Sequence, residues 1–415
     1  MSSELLHSSD RVYVVVGGGL AGAHAVQTLR AEGVSARIFL IGDERDHPYE
    51  RPPLSKDYLA GRTAREKLLV HEPQWYAEHE VELLLGARVT AVDRAAGQLE
   101  LDGGSRLPYD RLLLATGSVP RRLEVPGHDL AGVHYLRRIG NADVLREAIR
   151  DRGPMVVIGG GWIGLEVAAV ARQAGAPVTV VESAPGLLGV LGPQVGQRFE
   201  ALHRRHGVEV RTGAGVAEIV GSGRVEGVRL VGSEVIPAAC VVVGIGVRPL
   251  TDLAQAAGLP VDNGILVDAT LRTADPAIWA AGDVANAEND WVGRRVRVEH
   301  YANAGGQGPF AARNMAGGQA RWAEPPFFWT DQYDLAMEYH GWADPARSTV
   351  VLRGGAGDQT WFAFWLDGSG AVTAGMHVNG WDDAEAVAAL VESRARVDPR
   401  ALADPGTAWE AVRAG

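Results

Sequence analysis

The sequence predicts an α/β fold with two successive strand–turn–helix units and a C-terminal α+β segment. A glycine turn of the form G-x-G-x-x-G occurs twice, each time between an apolar strand-like run and a helix pattern rich in alanine. The C-terminal part of the chain lacks such a turn and instead shows strand-like runs before one further helix pattern. A length of 415 residues fits two or three domains, at ~150 residues per domain.

The first unit reads RVYVVVGGGLAGAHAVQTLRAEG: a buried strand, a turn containing Gly17, Gly19 and Gly22, and a helix that ends at Gly33. The next strand, ARIFLIGDE, ends with Asp43, 26 positions after Gly17. Such glycines let the backbone approach a pyrophosphate at a helix N-terminus, while the carboxylate accepts hydrogen bonds from ribose hydroxyls. This unit is therefore predicted to be a Rossmann-like dinucleotide site.

The second unit, PMVVIGGGWIGLEVAAVARQAGAPVTVVES, repeats the pattern with Gly159, Gly161 and Gly164 in its turn. Its second strand ends with Glu182, 23 positions after Gly159. Two such units indicate two dinucleotides or one duplicated fold. No arginine or lysine occurs at positions 183–186. Because a 2′-phosphate needs a cation and a free 2′-hydroxyl favours the carboxylate, the second site should prefer NADH to NADPH.

Two further segments assign the flavin to the first unit. LLLATGSVPRR and DPAIWAAGDVANA are apolar strands that close on small-residue turns, Thr116-Gly117 and Gly282-Asp283, where backbone can pass close to a ligand. Asp283 can cap a helix and also bond a ribityl hydroxyl. The predicted domains are an FAD-binding domain at 10–115 and 247–320, an NADH-binding domain at 116–246 and a C-terminal α+β domain at 321–415. The last contains two strands around Asp367 and the helix DDAEAVAALVESRA.

Composition excludes several classes of protein. Apolar residues make up 46% and charged residues 22%, as is typical of a soluble enzyme, and the net charge of -11 argues against nucleic acid as a partner. The first ten residues show no secretory signal and no apolar run reaches the ~18 residues that span a bilayer, so a cytoplasmic protein without membrane contact is expected.

Cys240 is the only cysteine, which excludes an intramolecular disulfide, a dithiol redox centre and a four-cysteine cluster. We expect Cys240, within AACVVVGIG, to be a small buried hydrophobe. No metal site is predicted.

From about Arg11 to Pro405 the chain resembles the two-dinucleotide flavoprotein reductases of glutathione-reductase-like fold. Within them it is similar to the NADH:ferredoxin reductases, putidaredoxin-reductase-like proteins that serve Rieske oxygenases and haem monooxygenases. The motifs that carry the resemblance are PYERPPLSK, the paired glycine turns, LLATGSVPR, VGIGVRP, AAGDVA, RVEHYANAGGQG and PFFWTDQYD. The apoptosis-inducing-factor branch also looks similar, especially through RVEH.

The resemblance implies FAD and NADH as cofactors and assigns site residues. The positions that match the family's FAD site are Gly17, Gly19, Leu20, Ala21, Gly22, Asp43, Arg51, Lys56, Val89, Thr116, Gly117, Arg137, Gly282, Asp283, His300, Tyr301 and Trp329. The positions that match its NADH site are Gly159, Gly161, Ile163, Gly164, Glu166, Glu182, Gly246 and Glu299. Lys56, Glu166 and Trp329 are the implied catalytic residues.

The segment HPYERPPLSKDYL contains three prolines and no apolar periodicity, and we expect it to be a rigid loop. The resemblance places Lys56 beside the flavin N5, paired with Glu166, and Trp329 between the flavin and a protein partner. A helix beginning near Gly305 to Gly308 is expected to direct its positive end towards the reduced flavin.

The implied function is to accept two electrons from NADH as hydride and to pass them on one at a time. With a single cysteine this chain cannot hold a cluster on cysteine ligands, so the acceptor must be a separate protein. The resemblance implies that it is a small iron–sulfur ferredoxin that feeds an oxygenase. Arg294, Arg295, Arg297 and Arg313 could form a local positive docking face or a solvated cluster. A monomer or weak homodimer is expected.

Three other functions compete with this one. Disulfide reduction is disfavoured because no cysteine pair is present. A rubredoxin or monodehydroascorbate acceptor is not separated from ferredoxin by the sequence. An NADH-sensing binding protein like apoptosis-inducing factor is the alternative from a different class.

Overall fold

The computed structural model describes residues 11–413, so the first ten residues, where the sequence shows no secretory signal, lie outside the described part. The described chain forms two compact units. Unit 1 consists of 11–50, Arg65–Val119 and Arg248–Pro326. Unit 2 consists of Arg51–Ala64, Pro120–Val247 and 327–413.

Unit 1 is organised around a five-stranded parallel sheet. Its strands, in spatial order, are Ile278–Ala280, Arg111–Leu114, Val12–Val16, Arg37–Gly42 and Val81–Leu85. Runs of valine, isoleucine and leucine are buried along the inner strands, as expected for a parallel sheet that is covered on both faces. The helices of unit 1 are Leu20–Ala31, Pro73–Glu78, Asp252–Ala256 and Tyr301–Met315, with 3-10 turns at Arg65–Leu68 and Gly282–Val284.

Smaller sheets complete unit 1. One is antiparallel and contains Val89–Asp93, Gln98–Leu101 and Arg106–Pro108. The other contains Ile265–Val267, Ala285–Asn289 and Arg294–Arg297. Two of the boundaries between the units fall within short strands, Ser118–Pro120 and Val247–Pro249.

Unit 2 contains a second five-stranded parallel sheet. Its strands, in spatial order, are Glu209–Arg211, Val178–Val181, Met155–Ile158, Cys240–Val243 and Val133–His134. A three-stranded antiparallel sheet follows, with strands Val216–Gly221, Val225–Leu230 and Val235–Pro237. The helices are Ile139–Arg150, Trp162–Gln173, Pro193–Arg205, Ala384–Glu392 and Pro399–Ala403, with 3-10 turns at Pro52–Ser55, Gly189–Leu191, Trp381–Asp383 and Trp409–Val412.

The C-terminal part of unit 2 is an antiparallel sheet with short helices. Its strands, in spatial order, are Phe327–Gln332, Leu335–Gly341, Val372–Val378, Trp361–Leu366 and Thr349–Arg353. The predicted hairpin around Asp367 is present, and the Asp367 carboxylate accepts hydrogen bonds from the backbone N–H groups of Ser369 and Ala371. The two parallel sheets and this segment confirm the predicted fold class.

The structure differs from the expected helix start near Gly305. The helix begins at Tyr301, with His300 as its N-cap, so these glycines lie inside it. A Cβ atom added to Gly308 would overlap the backbone of Ala21 in the helix Leu20–Ala31. The glycine therefore allows two helices to pack closely, and a helix start at this position was the wrong interpretation.

Several segments group differently from the predicted domain ranges: residues 116–119 belong to unit 1, and residue 247 and the C-terminal segment 327–413 belong to unit 2. Residues 51–64 belong to unit 2, although the predicted range placed them with the FAD-binding domain. Residues 321–326 belong to unit 1, where Trp322 is buried in the hydrophobic core and packs edge-on against Phe310. The assignment of a cofactor to each domain therefore has to be made from the sites themselves.

Within residues 11–413, no helix is long and apolar enough to cross a membrane. Across the same range, no group of three or more His, Cys, Asp or Glu side chains could hold a metal ion. Cys240 is buried in the second parallel sheet, and burial raises the pKa of its thiol to about 12. The thiol is therefore protonated at neutral pH and behaves as the predicted small hydrophobe.

Candidate dinucleotide and redox sites

The first glycine turn joins the strand Val12–Val16 to the helix Leu20–Ala31. Gly17 has a φ of +128°, and an added Cβ would overlap the carbonyl oxygen of Ala115 in the neighbouring strand segment. A Cβ on Gly22 would overlap the carbonyl of Gly17, whereas one on Gly19 would meet no described atom within 4 Å. Gly17 and Gly22 thus close the turn, and Gly19 keeps its outer side open for a ligand to approach.

The helix N-terminus at this turn is suited to an anion. Gly19 is the N-cap, and the fully described first turn of the helix carries no acidic side chain. Its backbone N–H groups and the positive end of the helix dipole favour a phosphate group there. Leu20 and Ala21 are the first helical residues.

Asp43 follows the strand Arg37–Gly42. Its Oδ2 atom lies 3.4 Å from the Arg88 guanidinium, at an exposed position beside Val89, the first residue of its strand. An aspartate at this strand end matches the expected acceptor for ribose hydroxyls. Arg88 is an additional charge at the site that the sequence interpretation did not include.

The two small-residue turns assigned to the flavin are held by side-chain hydrogen bonds. Ser118 Oγ donates to Asp283 Oδ2 at 2.8 Å, and Thr116 Oγ1 donates to the backbone oxygen of Leu250 at 2.8 Å. Gly282 has a φ of +78°, and its N–H donates to Gln307 Oε1 at 2.9 Å. These bonds fix the backbone of both turns, as a surface that contacts a ligand requires.

Gly117, the second residue of the first of these turns, has a φ of +71° and accepts a hydrogen bond from Leu250 N at 2.9 Å.

His300 and Tyr301 lie at the N-terminus of the helix Tyr301–Met315. Burial lowers the pKa of His300 to about 4, although the nearby Asp283 carboxylate acts in the opposite direction. The Tyr301 hydroxyl donates to Glu50 Oε1 at 2.9 Å, and burial together with this carboxylate raises the pKa of Tyr301 to about 12. Both side chains are therefore neutral at pH 7.

The second glycine turn has the same construction as the first. Gly159 has a φ of +112°, and an added Cβ would overlap the carbonyl oxygen of Gly244. A Cβ on Gly164 would overlap the carbonyl of Gly159. Gly161 caps the helix Trp162–Gln173, whose fully described first turn carries no acidic side chain. A second phosphate group therefore fits here.

Glu182 is held against this turn. Its Oε2 atom accepts from Gly160 N at 2.7 Å, and its Oε1 atom accepts from Ala184 N at 2.7 Å. The backbone partner of Glu182 across the sheet is Arg211, whose guanidinium pairs with Glu209 at 2.6 Å and Glu234 at 3.1 Å. The Arg211 guanidinium is thus already paired with two carboxylates.

Three other predicted NADH positions, Ile163, Gly246 and Glu299, each have a different environment. Ile163 is an exposed apolar side chain in the first turn of the helix Trp162–Gln173. Gly246 has a φ of +92°, and its carbonyl accepts from Arg121 N at 2.9 Å. Glu299 belongs to unit 1, where it forms an ion pair with Arg297.

The proline-rich segment forms a 3-10 turn at Pro52–Ser55, where a loop was expected. The two prolines occupy its first positions, where no N–H donor is needed, so they pre-set the backbone instead of breaking the turn. Arg51 is the N-cap, and its Nη1 atom donates to the backbone oxygen of Arg137 at 2.5 Å. The turn thereby fixes Arg51 at one end and Lys56 at the other.

Lys56 is largely buried and lies in a polar cluster around the buried Glu166, with Asp331 at its exposed edge. Its Nζ atom is 3.3 Å from Glu166 Oε1 and 3.7 Å from Asp331 Oδ2. Ser55 Oγ donates to Glu166 Oε2 at 2.5 Å, and Thr330 Oγ1 donates to Glu166 Oε1 at 2.6 Å. A buried carboxylate is costly unless its oxygens are paired, and here both oxygens have partners. We call these five residues the Lys56 cluster.

Trp329 borders the Lys56 cluster in the strand Phe327–Gln332. The Lys56 Nζ atom lies 5.6 Å from the centroid of its indole ring, within the range of a cation–π interaction. All three residues assigned to catalysis are therefore together in unit 2.

Sequence reasoning missed several residues that complete this region. Thr330 and Gln332 follow Trp329 in the same strand, and His203 comes from the helix Pro193–Arg205. Because side chains alternate between the two faces of a strand, the sequence could have predicted that Thr330 and Gln332 share one face. His203 carried no such signal, because a buried histidine on an amphipathic helix resembles any other core position.

The arginine cluster considered for docking is largely used by the fold. Arg295 forms an ion pair with Glu288 at 2.8 Å and donates to the backbone oxygen of Asn286 at 2.6 Å. Arg297 pairs with Glu299. Arg294 and Arg313 are exposed. The positive charge of this surface is therefore smaller than the sequence alone indicated.

Comparison with known proteins agrees with the fold and the paired turns. Residues 11–308 match the family described as pyridine nucleotide-disulphide oxidoreductase, and residues 327–412 match the domain described as reductase C-terminal. The chain belongs to the pyridine nucleotide-disulphide oxidoreductase family. Membership implies binding of FAD and NAD(P)H, and the two glycine turns described above fit these groups.

Individual relatives are similar over nearly the whole chain. The ferredoxin–NAD(+) reductase component of the anthranilate 1,2-dioxygenase system from Burkholderia cepacia is 41% identical, with 95% of this chain and 97% of that protein covered. Rhodocoxin reductase from Rhodococcus erythropolis is 42% identical, with 81% and 80% covered. The crystal structure of the covalent putidaredoxin reductase–putidaredoxin complex contains a chain with a TM-score of 0.93 and 37% identity, with 98% of each chain covered.

Proposed function

We propose that this protein is an NADH-dependent ferredoxin reductase that passes single electrons to a small iron–sulfur protein of an oxygenase system. The observation that carries the proposal is the full-length similarity to reductases of such systems, together with two glycine turns of matching construction. Both dioxygenase and cytochrome monooxygenase systems are compatible with these relatives. A cytoplasmic location suits the role because NADH is available there.

The first glycine turn is assigned to FAD and the second to NADH. Asp43 and the helix N-terminus at Gly19 offer acceptors and donors that suit an ADP group, and Glu182 and Gly161 repeat this arrangement. When bound, FAD supplies a carrier that takes two electrons as hydride and returns them one at a time. The other predicted FAD and NADH positions stay assigned to these cofactors as part of the proposal.

The preference for NADH follows from the charges around Glu182. A 2′-phosphate near this carboxylate would meet like charge, and the Arg211 guanidinium is held by Glu209 and Glu234. A free 2′-hydroxyl can instead donate a hydrogen bond to the carboxylate.

The Lys56 cluster is assigned to the hydride step. Lys56 carries a positive charge in a largely buried setting, which favours negative charge that develops nearby during reduction. Glu166 pairs with the ammonium group and balances its charge in the resting state, and the Ser55 hydroxyl holds the Glu166 carboxylate. Trp329, beside them, is assigned to electron transfer towards the partner.

The acceptor is proposed to be a separate iron–sulfur protein, because a chain with one buried cysteine cannot bind a cluster through cysteine ligands. Disulfide chemistry is excluded on the same ground. The relatives are reductase components of oxygenase systems, which names the class of partner.

The test is steady-state reduction of cytochrome c through a panel of carriers: 2Fe–2S and 3Fe–4S ferredoxins and a rubredoxin. NADH and NADPH are compared as donors, and salt is raised in steps. We expect a small ferredoxin to give the highest turnover with NADH, and turnover to fall with ionic strength. Higher turnover with the rubredoxin, or transfer that ignores salt, would contradict the assigned acceptor.

A further inference from the structure

A continuous chain of hydrogen bonds connects Tyr333 to Glu166 in unit 2. The Tyr333 hydroxyl lies 3.2 Å from His203 Nδ1, and His203 Nε2 lies 2.8 Å from Gln332 Oε1. Gln332 Nε2 donates to Thr330 Oγ1 at 3.2 Å, and Thr330 Oγ1 donates to Glu166 Oε1 at 2.6 Å. His203, Gln332, Thr330 and Glu166 are all buried.

The carboxylate at one end sets the direction of every bond. Because an ionised Glu166 can only accept, the Thr330 hydroxyl donates its proton to it, and the Thr330 oxygen then accepts from the Gln332 amide group. The amide oxygen of Gln332 therefore faces His203, which must carry its proton on Nε2.

The far end of the chain is consistent with this direction. Burial lowers the pKa of His203 to about 4, so the imidazole is neutral and its Nδ1 atom accepts from the Tyr333 hydroxyl. Burial also raises the pKa of Tyr333, so the phenol keeps its proton as a donor. Four successive hydrogen bonds point the same way, and such chains polarise one another cooperatively in a low-dielectric interior.

The hydrogen-bond chain ends on Glu166 Oε1, an atom that also contacts Lys56. Oε1 of Glu166, which accepts from Thr330, is also the oxygen 3.3 Å from Lys56 Nζ, while Oε2 is held by Ser55. We propose that Thr330, Gln332 and His203 are positioning residues for hydride transfer: they hold Glu166, and through it the Lys56 ammonium, in the productive geometry. The proposal rests on the assignment of the Lys56 cluster to the hydride step.

Thr330 is the most direct place to test it. Thr330→Val keeps the side-chain shape but removes the hydroxyl that links Gln332 to Glu166, whereas Thr330→Ser keeps the hydroxyl. In anaerobic stopped-flow reduction of the holoenzyme by NADH, we expect Thr330→Val to lower the limiting rate ~10-fold, because it leaves a buried carboxylate short of one donor. The Kd for NADH should stay within about twofold, and Thr330→Ser should behave like the wild type.

Thr373→Val is the matched control. It removes a hydroxyl of the same kind from the same sheet. Thr373 Oγ1 donates to the Trp365 backbone oxygen at 3.0 Å and takes no part in the hydrogen-bond chain from Tyr333 to Glu166. We expect it to change thermal stability without changing the limiting rate. A parallel loss of rate in Thr373→Val would show that general destabilisation of the sheet explains the effect.

His203 provides a test at a distance from the Lys56 cluster. His203→Met interrupts the chain, and His203→Gln restores a donor towards Gln332, so we expect a ~3-fold slower limiting rate only for the former. Independent of activity, 15N NMR of histidine-labelled protein should show a neutral Nε2–H tautomer for His203 from pH 8 to 5.5, identified by the signal missing in His203→Gln.

The outcomes separate this inference from the proposed function. If NADH fails to reduce the flavin of the wild-type protein, the proposed function is wrong. If the wild type is reduced and Thr330→Val and Thr330→Ser have equal limiting rates, only the positioning role is wrong. An Nδ1–H tautomer, or a loss confined to the Kd for NADH, would likewise contradict the positioning role.

Discussion

At the scale of single residues, two carboxylates, Glu166 and Glu182, determine much of the proposed chemistry. Each is held by two or more donors: Glu166 by side chains, and Glu182 mainly by backbone N–H groups, with the Ser183 hydroxyl as a longer contact at 3.2 Å. This difference matters because side-chain donors can be removed singly by mutation, whereas backbone donors cannot. Mutation of its side-chain donors can therefore change the environment of Glu166. The position of Glu182 is fixed mainly by the backbone of the turn.

Glu182→Gln tests nucleotide selectivity. The amide keeps an acceptor oxygen for Gly160 but removes the charge that repels a 2′-phosphate. We expect the ratio of kcat/KM for NADH to that for NADPH to fall ~10-fold, since about 1.4 kcal/mol corresponds to one charge interaction at a solvated site. Steady-state kinetics with both nucleotides measures the ratio. Glu182→Ala should also lower this NADH-to-NADPH ratio. An unchanged ratio in both variants would show that Glu182 does not select the nucleotide.

Lys56→Ala tests the assignment to the hydride step. Loss of the buried ammonium should slow reduction of the flavin by NADH at least ~10-fold, because charge developing in the transition state loses its stabilising partner. FAD content, measured by absorbance after gel filtration, should be unchanged. Lys67→Ala removes an exposed lysine and is the control. Reduction of Lys56→Ala at the wild-type rate would show that Lys56 is structural.

At the scale of elements, the glycine turns could be predicted and the polar network could not. A turn of three glycines between a strand and a helix has a local cause, because side chains at Gly17 and Gly159 would overlap the next strand segment. The chain through His203 depends on a helix, a strand and a second helix meeting in three dimensions. No local pattern encodes such a meeting.

The misplaced helix start has the same explanation. Glycines near position 305 resemble a helix boundary in sequence, yet they are interior positions that permit contact with the helix Leu20–Ala31. The 3-10 turn at Pro52–Ser55 shows the reverse case, since prolines that exclude a long helix are compatible with the first turn of a short one. Tertiary contact decides the first case, and local backbone geometry decides the second.

The strand Phe327–Gln332 provides a prediction at this scale. Its alternation places Thr330 in the interior and Trp329 on the opposite face, half-buried beside Lys56. We expect Trp329→Ala to reduce electron delivery to a ferredoxin ~10-fold while sparing ferricyanide, because a small inorganic acceptor does not need an aromatic docking surface. Trp329→Phe, which keeps an aromatic ring, should lose less. Equal losses with both acceptors would remove the boundary role.

At the scale of the whole molecule, the net charge of -11 sets the long-range field, but association depends on the docking face. Arg295 and Arg297 form ion pairs with Glu288 and Glu299 in unit 1. The number of arginines in this segment therefore overstates its positive charge. Salt dependence of ferredoxin reduction, as proposed above, measures the field that the partner meets.

Acid stability is a second whole-molecule property. The pKa of His203 is lowered to about 4 in the folded state, while an unfolded histidine has a pKa near its usual 6.5. The unfolded state therefore binds the proton first, so stability is present above pH 6.5 and is lost as pH falls towards 4. A difference of this size corresponds to at most about 3 kcal/mol.

We expect His203→Gln to lose less stability than the wild type between pH 7 and pH 4.5, because glutamine does not titrate. Urea unfolding of the holoenzyme at both pH values measures this. His300, whose pKa is also lowered to about 4, should keep part of the acid sensitivity in the variant. Identical pH dependence in both proteins would contradict the account of a neutral, buried His203.

The proposed function requires this chain to convert one hydride into two single electrons for a ferredoxin. The most direct measurement is an anaerobic titration: the FAD-loaded protein receives one equivalent of NADH and is then mixed with excess oxidised 2Fe–2S ferredoxin, whose reduction is followed by absorbance. We expect two ferredoxins to be reduced per NADH, with the flavin returning to its oxidised spectrum. Flavin that is reduced by NADH but passes no electrons to any ferredoxin would contradict it.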